Sequence, residues 1–357
     1  MNVLLFAGRF EVRGSSQYTL RLAQHLGGHA VVPSIVCSDA GQVDSGTRAE
    51  MTLREYPQLG LPLWGRVVMD LVRRDFDEAP PDLIHIQTRS VLSQGVWLAR
   101  RLERPAVLTV HDYLGPRERL RVDRDCVRRI IAVSDAVKAD LLERERFPDE
   151  FVTVIHSGVD VPEVVDAPPV LDPGHVPVVG TAGPLEAVKG LPFFLGAAAQ
   201  VLAVRESIEF LVAGAGPEER NLRRLARELG ITGRVTFIPR LYDFSQSLEA
   251  MDIYCLPSLR QGLGTIMLEA MARARPVIAT GVGGVYSAIR DNETGLVVPP
   301  SDSGRLAERF LELLDDPVRA RAIGESGRRL VREEFGVEKM IERTAKLYRA
   351  ACVVPLA

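Results

Sequence analysis

From residue 253 the chain reads Ile253-Tyr254-Cys255-Leu256-Pro257-Ser258-Leu259-Arg260-Gln261-Gly262-Leu263-Gly264-Thr265-Ile266-Met267-Leu268-Glu269-Ala270-Met271-Ala272, and then Arg275-Pro276-Val277-Ile278-Ala279. A short apolar run stops at Pro257-Ser258, a glycine-bearing loop follows, and a helix opens near Ile266. Its apolar stripe is Met267, Ala270, Met271 and Ala274, which leaves Glu269 off the buried face. A second apolar run begins after Pro276. Strand, loop, helix and strand in this order predict a βαβ unit and a parallel sheet.

The same alternation extends in both directions. Val3 to Ala7 reads as a first buried strand, with a loop to Gly14 and a helix from about Ser15 to Leu26. Asp82 to Ile86, Ala106 to Val110 and Arg129 to Val133 read as further strands. Between Val161 and Val176 the texture changes: Pro162, Pro168, Pro169 and Pro173 crowd a stretch without helical period, the composition of a linker. Beyond it Val178 to Gly180, Phe210 to Ala213, Val235 to Phe237 and Val277 to Ala279 resume the strand pattern. Gly281-Val282-Gly283-Gly284 is expected to turn into another helix, and Val337 to Ala351 reads as a closing helix. At 357 residues the chain exceeds what one core usually supports. The expected architecture is therefore α/β, with two doubly wound Rossmann-like domains facing across a cleft. The first occupies residues 1–162, the linker 163–176, the second domain 177–335, and a final helix, 336–357, returns toward the first domain.

Composition narrows the function. A net charge of -3 gives no reason to expect a nucleic-acid partner. Cys37, Cys126, Cys255 and Cys352 are far apart and never form Cys-x-x-Cys, so a disulfide framework or a metal site is not expected and a reducing cytoplasm fits. The amino-terminal residues lack the basic start and long apolar run of a signal peptide, and no uncharged stretch reaches membrane-spanning length. Familiar catalytic signatures are missing: no phosphate loop of Walker type, no His-Glu-x-x-His, no Gly-x-Ser-x-Gly. Gly214-Ala215-Gly216 follows a strand, but Glu219 stands where a dinucleotide fingerprint needs its third glycine, so it reads as a turn.

Chemistry is expected at the loop Leu259 to Thr265, because its glycines let backbone amides approach a ligand and the following helix adds positive potential. At this point the residues carry a resemblance. Ser258 to Ala272 resembles the E-x7-E region of the family 4 glycosyltransferases, retaining enzymes of the GT-B fold. Arg275-Pro276-Val277-Ile278-Ala279, Gly283-Gly284 and Asn292-Glu293-Thr294-Gly295-Leu296-Val297-Val298 continue the pattern in register. So do Gly180 to Gly190, Ala213 to Pro217 and Val154 to Asp160.

Carried over by position, the resemblance implies that Glu269 binds the ribose of a nucleotide and that Lys189 binds its diphosphate. Gly183, Gly262, Leu263, Gly264 and Thr265 would line the donor, together with the glycine-rich turn at Gly14-Ser15. His111 matches a histidine near the sugar, and Ser134 matches a family serine. Two positions depart from the pattern. Gln261 replaces the first glutamate, so its side chain keeps hydrogen-bonding capacity without charge, and Pro184 stands where an arginine is usual. Arg260 is a candidate substitute for that missing cation. Each residue also has a plain structural reading: Gln261 and Lys189 as solvated side chains, Glu269 as a surface helix residue, His111 as a strand-end histidine, Ser15 and Ser134 as helix caps.

The expected activity is transfer of a hexose-type sugar from a nucleotide-diphosphate donor to a glycan, lipid-linked or small-molecule acceptor, without metal or cofactor, in polysaccharide or glycoconjugate synthesis. Its alternative is a degenerate relative that binds the donor without turnover; a glycoside hydrolase would need two carboxylates where this pair has one. Arg117, Arg119, Arg121, Arg124, Arg128 and Arg129, with the apolar stretch Leu61 to Val72 and its Trp64, read either as a solvated helix and a core helix or as a peripheral contact with the inner face of a membrane.

Overall fold

A computed structural model describes residues 1–11, 14–59, 61, 65–163, 168–239 and 244–353. Trp64 and the middle of the linker, residues 164–167, lie outside them. The chain divides into two units: Met1–Gly158 with Val337–Ala357, and Val159–Gly336.

The first unit is built on seven parallel strands, β1 (Asn2–Phe6), β2 (Val32–Cys37), β3 (Leu53–Glu55), β4 (Leu83–Ile86), β5 (Ala106–Val110), β6 (Val127–Ala132) and β7 (Val152–Val154). Their order in the sheet is β3-β2-β1-β4-β5-β6-β7. The connecting helices are α1 (Gly14–His25), α2 (Ser45–Ala49), α3 (Gly65–Arg74), α4 (Leu92–Arg101) and α5 (Asp135–Glu145). Strands of such sheets are covered on both faces, which is why β1, β4 and β5 read as apolar runs interrupted only by single polar residues such as His85 and Thr109. Ser134 caps α5, its hydroxyl accepting from the Val137 amide at 3.2 Å.

The second unit carries β8 (Val178–Ala182), β9 (Glu209–Ala213), β10 (Val235–Ile238), β11 (Ile253–Leu256), β12 (Val277–Thr280) and β13 (Leu296–Val298), all parallel. Their order is β10-β9-β8-β11-β12-β13. Its helices are α6 (Leu191–Leu202), α7 (Glu219–Glu228), α8 (Ser245–Glu249), α9 (Thr265–Ala272), α10 (Ser303–Asp315) and α11 (Pro317–Glu334). Phe194, Phe210 and Phe310 pack together in its core. The buried Asp252 carboxylate accepts from the amides of Leu171 at 2.6 Å and Val178 at 2.8 Å, and pairs with His175 at 2.9 Å. One side chain thereby ties the end of the linker to the start of β11.

The last helix, α12 (Val337–Val353), belongs to the first unit. Met340, Ile341, Ala345 and Tyr348 pack with Val3, Leu5, Tyr18, Leu22 and Val107. Two sequence expectations are corrected. Gly281 to Gly284 leads not into an α-helix but into a short 3-10 turn, Gly283–Ser287. The arginine-rich stretch is no helix: Arg117 to Arg124 lie in the loop between β5 and β6, while Arg128 and Arg129 belong to β6. Of the apolar stretch, Met69 and Val72 of α3 are buried while Val67 and Leu71 are exposed.

Candidate functional site

In an open parallel sheet, two neighbouring strands whose chain connections run off in opposite directions leave their following loops splayed apart, and ligands bind at that point. In the second unit the reversal falls between β8 and β11, since β9 and β10 lie on one side and β12 and β13 on the other. The loops in question are residues 183–190 and 257–264, the two stretches singled out in the sequence.

Glycine makes their approach possible. Gly190, at φ +64°, brings its Cα so close to the next loop that a Cβ would stand 2.0 Å from the Pro257 carbonyl oxygen. The amide of Leu259 donates to the Val188 carbonyl at 2.9 Å, closing the seam. Gly183, at φ +141°, donates to the Ala213 carbonyl at 2.9 Å, and a Cβ on Gly214 would stand 1.9 Å from the Gly183 oxygen. The Gly214 turn thus supports the first loop, and no dinucleotide role is needed to explain it.

Across this seam the Lys189 ammonium donates to Gln261 Oε1 at 3.0 Å. The same oxygen accepts from the Ser258 hydroxyl at 3.2 Å. Ser258 is fully buried, and its carbonyl accepts from the Thr280 hydroxyl at the end of β12. The Gln261 carbonyl accepts from the Gly284 amide at 3.1 Å. Gln261 is therefore half-buried and held at both backbone and side chain, not a solvated loop residue. Gly264, at φ +95°, then turns the chain into α9, whose start has no side-chain cap. Its leading amides keep the partial positive charge that attracts anions. Leu263 is buried beneath the loop, and Thr265 begins the helix. Glu269 follows one turn later, half-buried. Its charge adds to burial in pushing up the pKa of Tyr254, whose hydroxyl donates to the Ala182 carbonyl at 3.2 Å. Pro184 brings no charge to the first loop; Arg260 sits beside Gln261, half-buried.

Gly14, Ser15 and His111 lie in the first unit, where the strand order reverses between β1 and β4. Gly14 and Ser15 open α1, and the Ser16 hydroxyl of its first turn accepts from the Glu11 amide at 3.0 Å. The Thr19 hydroxyl lies 3.0 Å from both the Ser15 carbonyl and Gln87 Oε1. His111, just past β5, donates from Nε2 to the Gln87 carbonyl at 3.0 Å, so Nδ1 carries the lone pair. Burial pushes its pKa down to about 4, the nearby Arg89 charge adding to the fall and the Gln87 bond opposing it. It is a neutral imidazole at pH 7. Tyr18 packs edge-on against it, ring centres 5.0 Å apart.

Sequence reasoning passed over His85, although a histidine within the apolar run Leu83-Ile84-His85-Ile86 was a visible signal. It is fully buried, with Nδ1 2.5 Å from the Tyr348 hydroxyl and Nε2 2.6 Å from the Thr109 hydroxyl. Burial drives its pKa down to about 3. It joins α12 to β4 and β5.

Arg117 and Arg119 line a groove of about 820 Å3 with Pro116, Glu143, Glu145, Arg144 and Arg146. Arg144 is consumed structurally, donating to the carbonyls of Leu114 and Gly115 at 2.7 Å. Among the described residues no helix is long and apolar enough to cross a membrane, and no group of His, Cys, Asp and Glu is arranged to hold a metal ion.

Comparison with known proteins agrees with this geometry. Residues 12–163 match Glycosyltransferase Family 4, and residues 176–316 match Glycosyl transferases group 1. A GDP-mannose-dependent monoacylated alpha-(1-6)-phosphatidylinositol monomannoside mannosyltransferase of Corynebacterium glutamicum is 37% identical over 183 residues, 49% of this chain and 47% of the relative. A D-inositol 3-phosphate glycosyltransferase of Nocardia farcinica is 30% identical over 295 residues, 71% of this chain and 64% of the relative. The chain spans about half the length of most of the curated relatives it matches. In fold it is similar to Anabaena HepE, solved with UDP and glucose, at a TM-score of 0.83 and 19% identity, over 98% of this chain and 100% of that one. Sucrose-phosphate synthase of Thermosynechococcus elongatus superposes with a TM-score of 0.78 at 21% identity over 98% of both chains. With two parallel-sheet units of the GT-B type and both halves matched in order, the chain belongs to the family 4, group 1 glycosyltransferases.

Proposed function

We propose that the protein is a retaining glycosyltransferase that takes a hexose-type sugar from a nucleoside-diphosphate donor and places it on a glycan, lipid-linked or small-molecule acceptor in cell-surface polysaccharide or glycoconjugate synthesis. The observation that carries this reading is the Lys189–Gln261 contact beside the uncapped start of α9, with Glu269 one turn further along. A cation and the leading amides of a helix suit a diphosphate, and a carboxylate suits the two hydroxyls of a ribose. The names of the relatives, which include a GDP-mannose-dependent mannosyltransferase and D-inositol 3-phosphate glycosyltransferases, support the same substrate class.

In the proposed reaction the bond from the sugar's anomeric carbon to the diphosphate oxygen breaks while the acceptor oxygen bonds to that carbon on the same face. The acceptor's proton passes to the departing phosphate. Negative charge grows on the diphosphate, and Lys189 and the α9 amides are placed to meet it, so the reading calls for no metal. His111, neutral and fixed in one tautomer, serves the sugar as a hydrogen-bonding group rather than as a charge. The enzyme works in the cytoplasm; the basic groove beside Arg117 and Arg119 supports contact with an acidic membrane surface.

Calorimetry with UDP and GDP, followed by nucleotide release from their sugar conjugates, tests the reading. Glu269→Ala is expected to weaken binding by about tenfold or more, the loss of a charged hydrogen-bond acceptor. Unchanged affinity in that variant would remove Glu269 from the site. Tight binding with no release from any sugar donor would favour the degenerate alternative.

A further inference from the structure

We propose that Gln261 is a charge-sparing positioning residue. It orients the Lys189 ammonium toward the donor's diphosphate without neutralising it, and so sets the affinity for the nucleotide. The proposal rests on the donor reading above and adds a determinant of affinity to it.

The loop of residues 183–190 carries one cation, Lys189, and one acid, Glu186, with the neutral Pro184 near its start. An ammonium has three donors and accepts nothing, so the atom of Gln261 that faces it at 3.0 Å must be the amide oxygen. Ser258 donates to the same oxygen at 3.2 Å, and the Gly284 amide holds the backbone carbonyl of the residue at 3.1 Å. The side chain is thus fixed with its oxygen toward Lys189. An amide uses one of the lysine's donors and adds no negative charge of its own.

A glutamate in this place would accept the same two bonds and occupy the same volume. It would also set a full negative charge about 3 Å from the ammonium, and about 6 Å from any phosphate that the ammonium touches. At the effective dielectric of a half-buried site, that repulsion and the partial cancellation of Lys189 weaken diphosphate binding by about tenfold. The loss is electrostatic, so salt must reduce it. A ligand without phosphates must not feel it.

The test compares the intact protein with Gln261→Glu and Gln261→Ala, measuring dissociation constants for UDP, GDP, uridine and guanosine by calorimetry at 50 and 500 mM salt. Melting temperatures check that both variants fold. Gln261→Glu is expected to weaken the better-bound nucleoside diphosphate by about tenfold at low salt, and clearly less at high salt. Gln261→Ala, which loses the orientation but adds no charge, weakens it by only about threefold. Nucleoside binding stays the same in all three proteins. Equal or tighter diphosphate binding by Gln261→Glu overturns the proposal, and so does an equal loss for the nucleosides, which would indicate a displaced loop. If the unaltered protein binds neither UDP nor GDP, the donor reading itself fails and this inference falls with it.

Discussion

Gly284 offers a way to move the candidate site without touching any residue proposed to act there. It lies in the 3-10 turn after β12, and its φ is not in the left-handed region, so alanine is compatible with its backbone. The space is not. A Cβ would stand 1.9 Å from the Gly262 carbonyl oxygen and 2.8 Å from the Leu263 Cα, where real contacts essentially never fall below 3.0 Å. The loop of residues 257–264 must therefore retreat by about 1 Å, or the turn must retreat from it. Leu263 is buried and Gly264 is committed to φ +95°, so the displacement is passed to Gln261 and to the first amides of α9. A misplacement of about 1 Å at groups that meet developing charge costs about 100-fold in turnover. The overpacking itself costs about 1–3 kcal/mol of stability. The assay is steady-state release of nucleoside diphosphate at saturating donor, with thermal unfolding recorded in parallel. Gly233→Ala in the same unit, with nothing within 4 Å of its Cβ, is the control and leaves both measurements unchanged. A folded Gly284→Ala protein that keeps its turnover would refute the claim that this loop's position governs the chemistry.

Acid sensitivity is expected of the first unit. His85 and His111 are neutral in the fold, at about 3 and about 4, while an unfolded histidine titrates near 6.5. Their stabilising effect is complete above about pH 6.5 and declines as pH falls, by about 1.4 kcal/mol per pH unit for each. Both tryptophans, Trp64 and Trp97, fall within residues 1–158, so urea unfolding followed by tryptophan fluorescence between pH 7.5 and 5 reads this unit. His85→Gln should flatten the slope by one histidine's share; an unaltered slope would mean that His85 is protonated in the fold. In the second unit, Asp252→Ala strands the buried amides of Leu171 and Val178 and the His175 ring, at about 3 kcal/mol. For a unit of this size the melting temperature should drop by about 6–12 °C, and a drop under 2 °C would show that the linker needs no clasp.

What the sequence revealed follows from how far each feature reaches along the chain. β1, β5 and β11 are buried on both faces and bounded by turn residues, so their apolar runs stand out locally. β3 and β13 span only three residues each, and β2 begins with the exposed Val32 and the half-buried Pro33; nothing local distinguishes them from loops. The helical spacing of α12 was visible, but its place against β1, β4 and β5 depends on contacts far back along the chain, such as His85 with Tyr348, 263 positions apart. The arginine-rich stretch misled because charge frequency says nothing about period: Arg124 stacks on Phe147 and Phe151, while its neighbours face a groove or sit in β6.

The glycines show where this limit lies at the site. Gly190, Gly214 and Gly284 each read as loop residues in the sequence, and each is required because a carbonyl from another loop occupies the space of a Cβ: Pro257, Gly183 and Gly262 in turn. Together these approaches link the ends of β8, β9, β11 and β12 into one surface. Lys189 and Gln261, 72 positions apart, can meet across it only because those glycines leave room. Replacing a polar residue here changes one interaction, whereas replacing a glycine moves the loop that carries several. Gly284→Ala should therefore lower turnover more than Gln261→Ala, although no atom of Gly284 is placed to touch a donor. If Gln261→Ala proved the more damaging change, the side-chain contact would outrank the loop seam as the feature that shapes this site.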